Sequence, residues 1–550
     1  LIQIDLNGKS VQLQSGSEVK KLAEYKTDTL LCGAYVNQRI KSLEYKLKDG
    51  ESVRLIGLDD PAGMRIYMST LMFVFSKACQ IVYPDKEISI SYSLGGGIFC
   101  EFQDKTPMHH TDVSNIKDEM KHLIERSVHI KKHKIPWKDA YVFMRHHKMT
   151  SATDPDLLMY VDAWDISLYE IEDFYGYYYS KVLSDTKDLY AFDLIHLKPG
   201  CVLLGPDPKN LKLVKNFVSQ PNLHREFQEY EAWCAKLDVS DVVSLNRKIE
   251  NGTIKDLITV AEARHEQLIS EMADRIYEQG NEKRVVLIAG PSSAGKTTTS
   301  KRLRAHLVAK GMNPVAISLD DYFVNRELTP KNEKGEYDFE DIGALDVELF
   351  NQNMIELMDG KEAEIPIFNF IEGKRLPNGR KLKVDANSPI IIEGIHGLNE
   401  GLTWQIPKRN KYKIYLNDLT HLNIDQNNRI PTSDVRLIRR IVRDIVKRGH
   451  NAEATISMWQ AVRKGEEKNI YPYSNEADFV FNSSLFYEMS VLKKYAEPAL
   501  ADVKDDSDYF AEASRLLSFL SFFLAYDDER PIYADSILRE FIGGSIFEDL

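Results

Sequence analysis

The residues with the clearest capacity for chemistry are Gly290-Pro291-Ser292-Ser293-Ala294-Gly295-Lys296-Thr297, which match the pattern GxxxxGK[ST]. Val285 to Ala289 ahead of them reads as a buried parallel strand, and Thr298 to about Lys310 reads as a helix. A strand feeding a glycine-rich loop that opens a helix turns backbone N–H groups and the positive helix end toward phosphate oxygens. Lys296 is expected to reach the β- and γ-phosphates of a nucleotide, and the Thr297 hydroxyl to ligate Mg²⁺. The expected nucleotide-binding set is Gly290, Ser292, Ser293, Ala294, Gly295, Lys296, Thr297 and Thr298.

Two acids stand where such a loop needs them. The apolar run Val315 to Leu319 ends in Asp320-Asp321-Tyr322-Phe323, and Pro389 to Ile392 ends in Glu393-Gly394-Ile395-His396-Gly397. In open α/β sheets ligands bind beyond the carboxyl ends of parallel strands, so both acids face the phosphates. Asp320 can accept the proton of an attacking hydroxyl, and Glu393, with Thr297 and Asp320, makes the expected Mg²⁺ side. Further on, Asp434 to Gly449 carries six basic residues between 436 and 448 against Asp444 alone. On a helix, Arg436, Arg440, Arg443 and Lys447 share one stripe, which predicts a cationic lid that closes over a triphosphate and excludes water. Arg436 is thus added to the nucleotide contacts, and Arg440 and Arg443 join Lys296 and Asp320 as catalytic candidates. No NKxD or TKxD guanine-reading motif follows the loop, and Thr186-Lys187-Asp188 precedes it at the wrong spacing, which weighs against a GTPase.

The elements that position these groups occupy a chain of 550 residues, enough for three or four domains. Lys plus Arg is 71 against 83 Asp plus Glu, for a net charge of −12, so a protein that coats nucleic acid with its whole surface is excluded. Apolar content of 43% and charged content of 28% belong to a folded, globular chain. The five cysteines are scattered and form no CxxC pair, which predicts neither disulfides nor zinc and points to the reducing cytoplasm. No apolar run approaches the roughly 20 residues needed to cross a bilayer, and the opening strand does not read as a signal peptide. No membrane partner is expected, and a homo-oligomer is left open.

Residues 1–60 alternate in strand fashion, with a turn at Asn7-Gly8, a helix predicted from Ser17 to about Tyr25, and strands around Ala34 to Asn37 and Ser52 to Ile56. This β-grasp pattern resembles a TGS domain. Residues 61–205, with Tyr83-Pro84 and Gly95-Gly96-Gly97-Ile98-Phe99, resemble the α+β editing domain of threonyl-tRNA synthetases. The positions where that family carries its two HxxxH histidines and its later Cys and His are Met68, Met72, Trp164 and Leu168 here. None of these side chains activates water or holds zinc, so no editing activity is expected, and an apolar helix packed in a core is expected around the two methionines. Residues 206–283 read as a helical connector, and residues 486–550 as a tail with a packed helix through Leu516, Leu517, Leu520, Phe523 and Leu524 and no catalytic role. Lys121 to Lys148 holds eight Lys or Arg against Glu125 and Asp139, a stretch that could bind RNA weakly.

From 284 to 485 the chain resembles the uridine kinase and phosphoribulokinase family. The resemblance rests on the P-loop, Ser318-Leu319-Asp320, Tyr337-Asp338-Phe339-Glu340, Ile365-Pro366-Ile367-Phe368-Asn369-Phe370, Ile392-Glu393-Gly394 and the arginine-rich stretch. It implies an α/β P-loop kinase domain with a parallel sheet, ATP and Mg²⁺ as cofactors, and a nucleoside whose 5′-hydroxyl receives the γ-phosphoryl group. Asp320 is then the general base, Glu340 a ribose-hydroxyl acceptor and Glu393 a metal-side acid. The implied substrate-binding set is Asp320, Tyr322, Glu340, Phe368 and Arg375, with Arg375 either a substrate or phosphate contact or a surface charge. Phe368 and Gly373 replace the Tyr and His with which pyrimidine kinases read the base, so the nucleoside stays open. The rival expectations are a nucleotide-switched RNA- or ribosome-linked binding protein and a P-loop kinase for another small hydroxyl compound.

Overall fold

A computed structural model describes all residues except 148, 150–154, 162–164, 281, 333, 334, 336, 370, 371, 387 and 548–550. The chain opens with β1 (Ile2–Leu6), β2 (Lys9–Leu13), β3 (Leu31–Val36), β4 (Arg39–Lys41) and β5 (Ser52–Gly57). They form one sheet in the order β2-β1-β5-β3-β4, with β1 and β5 parallel at its centre. Ile2, Ile4 and Leu6 point inward and the residues between them outward, as a period of two requires. The helix expected from Ser17 is a 3₁₀ segment, Val19–Tyr25. Its two buried residues, Val19 and Leu22, are three apart, which matches the three-residue repeat of that helix.

Asp60 then caps α1 (Pro61–Val82), accepting a hydrogen bond from the Ala62 N–H. Around α1 lie β6 (Ile88–Leu94), β7 (Gly97–Phe102), α2 (His110–Glu125), β8 (Ile130–Pro136), α3 (Trp137–His146), β9 (Asp165–Ile171), β10 (Phe174–Tyr177), β11 (Asp193–Leu197) and β12 (Gly200–Leu204). They make a four-stranded sheet, β11-β12-β7-β6, and a three-stranded one, β10-β9-β8. Residues 206–283 are not helical throughout. A hairpin of β13 (Pro206–Asp207) and β14 (Asn210–Val214) precedes α4 (Pro221–Lys236), α5 (Val242–Glu250) and α6 (Ile254–Glu278).

The phosphate-loop strand β15 (Val285–Ala289) lies at the centre of a five-stranded parallel sheet. The other elements of this part are α7 (Lys296–Ala309), β16 (Val315–Ser318), α8 (Val347–Met358), β17 (Ala363–Ile365), β18 (Phe368–Asn369), β19 (Lys374–Arg375), β20 (Arg380–Leu382), β21 (Ile390–Glu393), β22 (Lys411–Asn417), α9 (Thr432–Arg443), α10 (Ala452–Asn469) and β23 (Phe479–Asn482). The sheet order is β16-β21-β15-β22-β23, and all five residues of β15 are fully buried, the mark of a strand covered on both faces. The chain ends with α11 (Glu488–Ala501), α12 (Phe510–Leu520) and α13 (Arg539–Ile542).

One apolar core joins the expected connector, kinase and tail segments. It runs from Ile258, Ile269 and Met272 of α6 through Leu303 and Leu307 of α7 and Ile438 of α9 to Leu516, Phe523 and Phe541 of the tail. The tail is also fastened by polar bonds. Asn246 of α5, fully buried, donates through Nδ2 to the Phe522 carbonyl at 2.8 Å and accepts from the Leu524 N–H at 2.9 Å. Asn246→Ala should therefore lower unfolding free energy by about 2–4 kcal/mol, since it leaves a buried carbonyl and a half-buried N–H unpaired. Urea denaturation of the full chain, with tryptic cleavage after residue 515 as a local readout, measures it.

Candidate active site

The loop between β15 and α7 is held by steric necessity at its glycines. A Cβ at Gly290 would sit 2.0 Å from the Leu416 carbonyl oxygen of β22, so only glycine allows this approach. Gly295 has φ +92° and leads directly into α7, which starts at Lys296, two residues earlier than expected. Lys296 Nζ donates to the carbonyls of Gly290 at 2.9 Å and Pro291 at 3.1 Å, so its ammonium lies over the loop.

The strand ends bring the acids to this loop. Parallel register sets Ser318 of β16 and Ile288 of β15 on either side of Glu393 of β21. The hydroxyls of Thr297 and Ser318 both donate to Glu393 Oε1, each at 3.3 Å. Asp320 follows on a 3₁₀ turn, its N–H donating to Ser318 Oγ, and its side chain stays open to solvent. Burial in the surrounding protein, followed by the like charge of Asp320, pushes Glu393 up to about 7. Although Asp320 reaches solvent at its surface, the dense protein around the site raises its carboxyl as well, and Lys296, Arg448 and Arg443 oppose the shift. Glu340 is pushed up to about 7 by burial and then by Glu466. Among the described residues no group of three or more His, Cys, Asp or Glu is arranged to hold a metal ion. A hydroxyl and one or two carboxylates nevertheless fit Mg²⁺, which keeps several waters and is completed by phosphate oxygens rather than by an all-protein cage.

The arginine-rich helix departs from the expected lid closing over a triphosphate, because α9 is built into the core. Arg436 is fully buried and forms a two-pronged ion pair with Glu466 of α10, its second nitrogen 2.8 Å from Oε2. It also donates to the Ser292 carbonyl at 3.1 Å, while Glu466 accepts from the Ser292 N–H at 3.0 Å. Arg436 is therefore a brace for the loop backbone and not a free phosphate ligand. Arg439, also fully buried, does the same one residue on, pairing with Glu488 and donating to the Ser293 carbonyl at 3.3 Å. Arg440 donates to Ser292 Oγ at 2.9 Å. Arg440, Arg443 and Arg448 each lie 3.5 Å from the fully buried Asp444, so three guanidinium groups surround one carboxylate beside the loop. Residues Asp444–Arg448 form a π-helical turn, which takes Lys447 off the expected stripe.

Two expected substrate contacts are structural. Tyr322 is fully buried; its ring stacks edge-on against Phe350, and its hydroxyl accepts from Asn353 at 3.1 Å. Arg375 is neither a phosphate contact nor a loose surface charge. It donates to the carbonyls of Phe323 and Tyr322 and pairs with Asp346 at 3.0 Å, clamping the turn after Asp320 to the start of α8. Phe368 packs on Phe323 at the edge of this turn, and Gly373 occupies the β18–β19 turn with φ +68°. Phe370 lies outside the described residues.

The tail adds a residue that the sequence did not reveal. Glu540 of α13 accepts from the Thr298 hydroxyl at 2.8 Å and from its N–H at 3.4 Å, and Ile537 fills the space where a Gly295 side chain would be. Thr298, Lys447, Glu540, Gly543 and Phe547 line a cavity of about 510 Å³ beside the loop. Neither periodicity nor motif marks Glu540, because its role follows from where the tail docks.

In the N-terminal half, Leu168 is fully buried and Trp164 lies outside the described residues. The basic stretch is largely neutralised. Lys121, Arg126, Lys131, Lys134 and Arg145 pair with Asp118, Glu172, Glu170, Asp165 and Asp156, all acids outside it. Lys148 lies outside the described residues.

Residues 285–486 match the model of the phosphoribulokinase / uridine kinase family. The C-terminal part of the chain carries a P-loop kinase domain of this family. That kinase domain is 29% identical over 204 residues to a uridine kinase of Saccharomyces cerevisiae, covering 36% of each chain. It is 32% identical over 191 residues to one of Schizosaccharomyces pombe, covering 34% of this chain and 37% of that one. A uridine kinase of Macrococcus caseolyticus is 28% identical over 197 residues, covering 36% of this chain and 86% of that one. The match thus spans little more than a third of the two yeast relatives. The five cysteines are free and buried, and no helix among the described residues is long and apolar enough to cross a membrane.

Two measurements test the kinase-domain site. Glu466→Gln leaves the Arg436 charge buried without its partner and should cost about 3–5 kcal/mol, with most of the loss recovered in Glu466→Gln/Arg436→Met. Denaturant melts of the single and double variants give the difference. The raised Glu393 carboxyl binds its proton more tightly folded than unfolded, so its contribution to stability falls as pH climbs from the ordinary carboxylate range through about 7. Glu393→Gln should accordingly raise the melting midpoint at pH 8 by about 2 °C and leave it unchanged at pH 4.

Proposed function

We propose that this protein is an ATP- and Mg²⁺-dependent kinase that transfers the γ-phosphoryl group to the 5′-hydroxyl of a nucleoside. The observation that supports it most is the convergence of three strand ends. The phosphate loop leaves β15, and Asp320 and Glu393 follow the two strands beside it, inside the family-matched domain. The names of the relatives, all uridine kinases, favour a nucleoside over other hydroxyl compounds.

In this reading Asp320 takes the proton of the acceptor hydroxyl as its oxygen bonds to the γ-phosphorus and the bond to the ADP oxygen breaks. Its raised pKa makes it a better base than an ordinary aspartate. Lys296 and the guanidinium groups around Asp444 offset the charge on the transferred group. Thr297 and Glu393 would hold Mg²⁺, which neutralises phosphate charge when bound. Glu340, close enough to feel Arg440, Lys296 and Asp320, is suited to accept a ribose hydroxyl. The sheet order of residues 1–60 supports their reading as a β-grasp, TGS-like module, and residues 61–205 are read as an editing-like scaffold without hydrolytic side chains.

Asp320→Asn should retain ATP binding, since the loop is untouched, and lower turnover by about a hundredfold or more. The assay incubates the enzyme with labelled ATP, Mg²⁺ and a panel of nucleosides, ribulose 5-phosphate and pantothenate, and identifies the labelled product. A labelled sugar phosphate in place of a nucleotide would replace the nucleoside reading, and near-normal turnover in Asp320→Asn would remove the base.

A further inference from the structure

A cavity of about 690 Å³ lies away from the phosphate loop, where β4, α1, the β6–β7 and β13–β14 hairpins, the segment leading into α9, and α12 meet. Met68 and Met72, expected inside a closed core, line it. Eight Lys or Arg side chains line this cavity against a single carboxylate, Asp434. That imbalance stands out in a chain whose net charge is −12. Asp434 is already satisfied, because Arg515 takes both its oxygens at 2.6 and 3.0 Å.

Some of the cations are neutralised from outside the lining. Arg65 and Arg515 share Glu512, and Arg463 pairs with Glu466. Lys41, Lys181, Lys215 and Arg429 are different, since among the described residues none has a carboxylate within 4 Å. Burial and the like charges of Lys132 and Lys41 pull the Lys181 ammonium down to about 8, and burial lowers Arg429. Asn427, 2% exposed, also lines the cavity. Its Oδ1 accepts from Ser76, and its buried Nδ2 has no partner. Pro431 and Ser433 bring the uncapped, positive end of the 12-residue helix α9 to the same space.

We propose that this cavity binds a nucleotide-sized phosphorylated small molecule at a site separate from the phosphate loop. The volume suits a ligand of that size. The unpaired cations and the free Asn427 amide supply charge-assisted and neutral hydrogen bonds to phosphate oxygens. The thioethers of Met64, Met68 and Met72 offer a polarisable wall to a flat, apolar group. The bound molecule would touch Arg429 and Pro431, which run directly into the helix whose arginines grip Ser292 and Ser293.

The test is a binding measurement, so it stands or falls independently of phosphoryl transfer. UTP, and in a separate arm inorganic tripolyphosphate, are titrated calorimetrically into the full chain carrying Lys296→Ala, which weakens the phosphate loop. UTP should bind, more tightly than tripolyphosphate, and Lys181→Ala/Arg429→Ala added to that background should weaken it by about tenfold or more. Ser514→Glu, a substitution at a partly exposed lining position, should weaken it in the same direction with an unchanged melting midpoint. The proposal is overturned by absence of UTP binding in Lys296→Ala, by binding indifferent to all three cavity substitutions, or by tripolyphosphate binding as tightly as UTP.

Discussion

The buried ion pair between Arg436 and Glu466 is the constraint on which the rest of the site depends. Each partner also holds one polar group of Ser292, the arginine its carbonyl and the glutamate its N–H, so α9, α10 and the phosphate loop are locked at a single point. Withdrawing two charges from water is costly, and the attraction between them offsets that cost only with good geometry and satisfied remaining positions. Here the pair is two-pronged, and Tyr471 and Arg463 supply further bonds to the carboxylate. Arg436, read from sequence as part of a cationic lid, and its neighbour Arg439 are the framework of the loop itself. Arg440, Arg443 and Arg448 converge instead on Asp444 beside the loop.

The site is arranged around charges that are incompletely balanced without a ligand. The protein packed around Asp320, Glu393 and Glu340 raises all three carboxyls; neighbouring carboxylates add to the shift at Glu393 and Glu340, whereas nearby cations oppose it at Asp320. Three guanidinium groups share Asp444. A polyanion with a divalent cation would relieve both excesses together, an arrangement in keeping with the proposed phosphate site.

The N-terminal half is fastened to the catalytic half through the shared apolar core and, by polar bonds, through the segment before α9. The Ile90 N–H donates to the Gln426 carbonyl, Asn423 donates to the Ile90 carbonyl, and Asn428 donates to the Tyr177 carbonyl. Arg65 reaches Glu512 of α12 in the same region. The cavity with the unpaired cations is therefore bounded by elements of both halves, and the helix that braces the phosphate loop begins at its edge.

The sequence by itself determined the elements whose chemistry is local. Gly290 to Thr297 announces its turn because glycine alone tolerates the approach to β22 and the left-handed φ at 295, and Val285 to Ala289 announces a strand buried on both faces. Asp320 and Glu393 were legible because each ends an apolar run, and a strand end beside a P-loop has one place to go. Tertiary structure alone decided the roles of Arg436, Arg375, Tyr322 and Glu540. A charged residue on a helical stripe carries no mark of whether water or Glu466 will face it, and that choice is made by α10, some thirty residues on. Arg375 becomes a clamp only because the turn after Asp320 folds beneath it, and Glu540 reaches Thr298 across 242 residues because Ile537 and Phe541 are drawn into the shared core. Local backbone preference is written in neighbouring residues, whereas partner choice for a long polar side chain depends on which distant segments the hydrophobic core brings together.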